Sequence, residues 1–99
     1  MAPESAKSAE SAETIALKAL AFIAADAAEL ERLLARTGLT PETLRQQAGD
    51  PTLLGGVLDF LLEHDDRVVA FCQDAGLAPD EPTRARSRLP GGAGEMVLP

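Results

Sequence analysis

The sequence predicts an all-α fold: a compact orthogonal bundle of about six short helices, built as two repeated three-helix units with pseudo-twofold symmetry. Three observations predict it. The chain nearly repeats itself at a shift of 38 residues, with Phe22 mapping onto Phe60 and Gly38-Leu39-Thr40-Pro41 onto Gly76-Leu77-Ala78-Pro79. Between these anchors Ile15 aligns with Leu53, Leu20 with Leu58, Ile23 with Leu61, Leu30 with Val68, Leu33 with Phe71 and Leu34 with Cys72. Self-similarity of this kind marks a duplicated structural unit. The apolar positions also recur at helical spacing, and Gly and Pro punctuate the chain where helices stop and restart.

Residues 1–12 are an Ala/Ser/Glu/Lys stretch without large apolar groups, which reads as a flexible tail. The helical domain is expected over 13–89, with repeat units at about 13–49 and 50–89. Ile15, Ala19, Phe22 and Ile23 define one face of a first helix over about 12–24. Asp26 is placed to cap the second helix, with Glu29 completing a capping-box pattern, and Leu30, Leu33 and Leu34 turn inward. Gly38 ends that helix, because glycine accepts the left-handed backbone required there. Thr40 and Pro41 then start a short third helix over about 41–48, with Leu39 and Leu44 spaced as a hydrophobic staple.

Asp50-Pro51 repeats the cap-plus-proline signal and opens a fourth helix over about 51–63. Its apolar residues surround much of its circumference, which makes it the expected centre of the bundle. Gly55-Gly56 lies inside it, at a cost of about 1 kcal/mol per glycine relative to Ala, and a close helix crossing or a kink would account for the pair. Asp65 or Asp66 is expected to cap the fifth helix, which Gly76 terminates. Asp80 is expected to cap a sixth helix over about 80–89, and residues 90–99 read as a second flexible tail.

The run Glu13-Thr14-Ile15-Ala16-Leu17-Lys18-Ala19-Leu20-Ala21-Phe22-Ile23-Ala24 resembles the opening of a small alphaproteobacterial family known as domain of unknown function 3572. Ala48-Gly49-Asp50-Pro51, Val57-Leu58-Asp59-Phe60-Leu61-Leu62 and the two Gly-Leu-x-Pro elements fit the same family. The likeness covers about residues 13–90. It implies a small bacterial helical protein and supplies no catalytic residues.

Composition narrows the function classes. The formal net charge of −7 opposes general affinity for phosphate backbones, which depends on Lys and Arg releasing counterions. One cysteine makes no intrachain disulfide, so the chain suits a reducing compartment, and the expected address is the cytoplasm. No apolar run approaches the roughly 20 residues that span a bilayer. Neither a calcium-loop spacing nor a glycine-rich phosphate loop is present.

A few residues have chemistry to offer. His64, the only histidine, lies in Glu63-His64-Asp65-Asp66 and has the makings of a general base or metal ligand; the plainer reading is a helix-end histidine in a polar turn. Cys72 would be a nucleophile if its pKa were lowered, but its repeat partner is Leu34, which favours a small buried apolar group. Arg84, Arg86 and Arg88, with Arg45, are the only basic concentration, and residues two apart do not share a helix face. Helix three has the size of a recognition helix in a helix-turn-helix, although any capped amphipathic helix gives this pattern. The expectation is a non-catalytic protein-protein interaction or regulatory module without cofactor or metal. Its partner would be another protein or a second copy, and its docking face the outer side of helix four or Val68/Val69. The alternatives are a helix-turn-helix-like DNA-associated regulator and a small enzyme using His64 or Cys72.

Overall fold

A computed structural model describes residues 11–90 of the 99. Six helices follow in order: α1 (Ala12–Ala24), α2 (Ala27–Thr37), α3 (Pro41–Gln46), α4 (Pro51–Leu62), α5 (Asp65–Ala75) and α6 (Glu81–Ser87). No strand occurs among the described residues. The two expected tails lie mostly outside them. Where they overlap, Ser11 caps α1 by accepting the Thr14 N–H at 3.0 Å, and Ala12 is buried, so both belong to the folded domain.

Helix ends follow local side-chain chemistry. Asp26 accepts the N–H groups of Ala28 and Glu29 at 2.9 and 3.3 Å, Thr40 accepts that of Thr43 at 3.1 Å, and Asp50 that of Thr52 at 2.9 Å. Each satisfies donors that the first turn leaves unpaired. Pro41 and Pro51 occupy the first turns of α3 and α4, where a missing N–H costs little. Gly38 and Gly76 take φ of 76° and 72°, the left-handed geometry that closes α2 and α5.

Three expected caps differ. The α2 capping box is half formed: Asp26 caps, but the Glu29 carboxylate turns to Arg32 and Arg67, because two guanidinium groups outcompete one backbone N–H. Neither Asp65 nor Asp66 caps α5. The chain becomes helical one residue earlier, which leaves His64 at the cap position with no side-chain hydrogen bond. Asp80 likewise makes no cap bond for α6; its Oδ1 accepts from Arg84, and Glu81 reaches back to the Ala78 N–H at 3.0 Å.

α1 and α4 form the centre. α1 packs most extensively on α4 and then on α6, α4 packs on α6, and α2 and α5 fold back as hairpins on α1 and α4. Leu54, Val57, Leu58 and Leu61 of α4 are fully buried, and Ala16 and Ala19 of α1 let the helices approach closely. Burying each of those large side chains contributes about 1.5–3 kcal/mol relative to leaving it in water. The two glycines of α4 differ. A Cβ on Gly55 would lie 2.9 Å from Nη1 of Arg86 and 3.0 Å from the Pro90 carbonyl oxygen, so any side chain there would have to displace these neighbours. Gly56 faces open space.

An exact pseudo-twofold repeat would give Phe22 and Phe60 matching, sheltered environments, and the two rings lie in different ones. Phe60 is buried beneath the Arg67 guanidinium, 4.0 Å from the ring centroid, whereas Phe22 is half-buried and tilts against Phe71 at 5.6 Å. The third helices differ as well. α6 is wedged between α1 and α4, while α3 touches the rest of the bundle only lightly through buried Leu44.

Candidate functional site

Cys72, Arg84 and Arg86, half of the residues singled out by sequence, are held in bonds within the fold. Arg86 lies along α4 and grips Asp59 with two hydrogen bonds, Nε to Oδ1 at 2.6 Å and Nη2 to Oδ2 at 3.0 Å. Its Nη1 also donates to the carbonyls of Leu89 and Pro90 at 3.4 and 3.0 Å. That removes Arg86 from any basic patch. Arg84 pairs with Asp80 one turn back, Arg88 is exposed, and Arg45 stands on α3 beside an apolar groove.

Cys72 is buried and its thiol donates to the Ala78 carbonyl at 3.5 Å. Burial pushes the thiol pKa up, and the carboxylates of Glu81 and Asp80 push it further the same way. A reactive thiolate needs the opposite field. His64 is exposed at the start of α5, and no hydrogen bond joins it to Cys72, Arg84 or Arg88. No group of three or more His, Cys, Asp or Glu side chains among the described residues is arranged to hold a metal ion. Nor does any buried side-chain nitrogen or oxygen among them lack a hydrogen-bond partner.

The charged residue that the sequence reading passed over is Arg67. Its Nε donates to Glu29 at 2.9 Å, its Nη1 donates to the Phe60 carbonyl at 2.7 Å, and its guanidinium covers the Phe60 ring. With its side chain only 13 % exposed, it clamps α2 to the α4–α5 hairpin. A signal did exist: Glu29 and Arg67 are separated by the same 38 residues as the repeat, with opposite charges at equivalent positions. Arg36 of α2 also pairs with Glu63 at the end of α4, and the hydrogen bond and charge of Glu63 raise the Arg36 pKa.

What remains open is apolar. A cleft of about 760 Å³ runs between the end of α1, the α1–α2 turn and α5. Phe22, Phe71, Ala21 and Ala70 line its apolar part, and Asp26, Glu29, Asp66 and Asp74 stand around it with Lys18 and Arg67. A smaller groove of about 510 Å³ lies on the other side of α1, among Leu17, Leu20, Leu30, Pro41 and Leu44. Ala21 borders both, and Leu17, at 42 % exposure, is one of two large apolar side chains left in solvent among the described residues. The other is Val69, at 51 %. By contrast, the outer side of helix four offers no docking face: six of its large apolar side chains, Leu53, Leu54, Val57, Leu58, Phe60 and Leu61, are buried because it is the central helix.

The family model described as Protein of unknown function (DUF3572) matches residues 9–92. No curated protein and no solved structure matches the chain. No helix among the described residues is long and apolar enough to cross a membrane.

Proposed function

The chain belongs to the DUF3572 family, and we propose that it acts there as a non-catalytic protein-protein interaction or regulatory module in the cytoplasm. The observation that carries this reading is the division of labour between polar and apolar groups. Arg67 and Arg86 are spent on holding helices together and Cys72 on tying α5 to the turn after it, while apolar side chains outside the core line two grooves flanking α1. Grooves lined by apolar side chains between helices suit a partner segment inserting its own apolar side chains. Catalysis would need convergent polar groups, and none of His64, Cys72, Arg84 and Arg88 shares a hydrogen bond with another of the four. The nucleic-acid alternative is weakened because Arg86 is locked to Asp59.

The duplicated unit enters this proposal in a reduced form. In this proposal the α1–α2 and α4–α5 hairpins are the repeated part, and it is supported by the Glu29–Arg67 bond between residues 38 apart, a contact that a nearby twofold axis would allow. Divergence of α3 from α6 then leaves one side of α1 open. In the second unit Arg86, Asp59 and Gly55 fill the place that Ala48, Ala21 and Leu17 leave as a groove in the first.

Affinity capture with the full chain and with Ala21→Arg tests the reading. Ala21 is exposed, borders both grooves and lies in the last turn of α1, where a cation suits the helix dipole, so the variant should keep its melting temperature and lose its partners. Unchanged capture by Ala21→Arg would overturn the proposal.

A further inference from the structure

We infer that the cleft between α1 and α5 is a docking site for a basic amphipathic helix of a partner protein. This rests on the interaction-module reading above and names the partner chemistry that the larger cleft selects. Size and lining come first: about 760 Å³ of concave space, with Phe22 against the buried Phe71 and with Ala21 and Ala70 keeping the walls low, admits bulky aliphatic or aromatic anchors.

Charge selects among apolar occupants. Four carboxylates stand around the cleft against two cations, and one of those cations, Arg67, already has Glu29 and the Phe60 carbonyl as its partners. Asp66 and Asp74 enter no ion pair among the described residues. They sit two turns apart on the same face of α5, flanking Ala70.

Asp74 is the more telling of the two. It occupies the last turn of α5, where the helix dipole disfavours an anion, and that turn holds no basic residue. An exposed carboxylate there does not stabilise its own helix. Lysines or arginines flanking the apolar face of an incoming helix would meet both aspartates, and the net charge of −7 would steer such a partner from a distance. A second copy of this acidic chain would instead be repelled.

Photo-crosslinking of the full chain in its own cells provides the test, with the crosslinking residue placed at exposed Ala70 and, as a control, at exposed Thr83 on α6, which lines neither groove. Ala70 should capture a segment that sequencing shows to be helical in pattern and rich in Lys and Arg, while Thr83 should not. Asp74→Lys, which suits the helix dipole and should fold, combined with Asp66→Asn, should lower that yield about tenfold or more. A captured segment that is acidic or neutral, or that comes from a second copy, overturns the basic-partner assignment and leaves the interaction reading standing. Capture only from a crosslinker at Leu17 overturns this cleft as the site. No capture from either groove overturns both.

Discussion

The paired glycines of α4 give a sharp test of the packing, because two adjacent and chemically identical substitutions should have opposite signs. Gly56→Ala adds a methyl group into open space and removes the conformational freedom of glycine from a helix interior. It should stabilise the domain by about 0.5–1 kcal/mol. Gly55→Ala has the same intrinsic gain, but its Cβ would lie 2.9 Å from Arg86 Nη1 and 3.0 Å from the Pro90 carbonyl oxygen. Arg86 does not withdraw freely, since its guanidinium is fixed by Asp59 and by two backbone carbonyls. Overpacking of this kind costs about 1–3 kcal/mol, so the net effect should be a loss of about 1–2 kcal/mol. The two variants should therefore differ by about 2 kcal/mol, or roughly 8–16 °C in Tm for a domain of this size. Thermal and urea denaturation followed by circular dichroism would read the difference. In an Arg86→Ala background, which removes the guanidinium and releases the Pro90 carbonyl that it holds, the Gly55→Ala penalty should shrink, which locates its cause. Equal stability of Gly55→Ala and Gly56→Ala would refute the account of the α4–α6 crossing.

Arg67→Ala should destabilise by about 2–3 kcal/mol in urea melts, through loss of charge-assisted hydrogen bonds and of ring contact, and Arg67→Lys should not restore the geometry. Arg32→Ala, at an exposed pair within one helix, should cost under about 0.5 kcal/mol and so serves as the control. Cys72 holds its proton more tightly folded than unfolded, so its contribution is complete below the ordinary thiol range and is lost as pH rises through that range toward the raised folded value. Stability should fall in that alkaline window, and Cys72→Ala should remove that part of the fall. His64→Ser should supply the missing α5 cap and add up to about 1 kcal/mol, measured by Tm. A loss of stability there would show that the imidazole has a structural role.

What was legible in the sequence is what local geometry dictates. Gly38 and Gly76 could be placed as helix stops because few other residues accept φ near +75°. Thr40-Pro41 and Asp50-Pro51 marked helix starts because the bonds they make span two or three residues. The centrality of α4 followed from its nearly all-round apolar surface, and the burial of Cys72 from its alignment with Leu34. Contacts between distant charges were not legible as contacts, although Glu29 and Arg67 stand one repeat apart. Glu29 fits a local capping box equally well, and only the helix arrangement brings Arg67 close enough to capture it. In sequence Arg86 is part of a basic cluster, and only the placement of α6 along α4 brings Asp59 within its reach. The clefts have no sequence signature for the same reason: Phe22, Ala70 and Asp74 become neighbours only once α1 and α5 are packed.

Chemical-shift mapping of the full chain with the partner segment identified by crosslinking, made as a peptide, tests the central claim most directly. The account predicts saturable shifts concentrated at Lys18–Asp26 and Asp66–Ala75, with His64 and Arg88 unmoved. Shifts centred on His64 or on the arginines of α6, with the α1–α5 cleft silent, would contradict it.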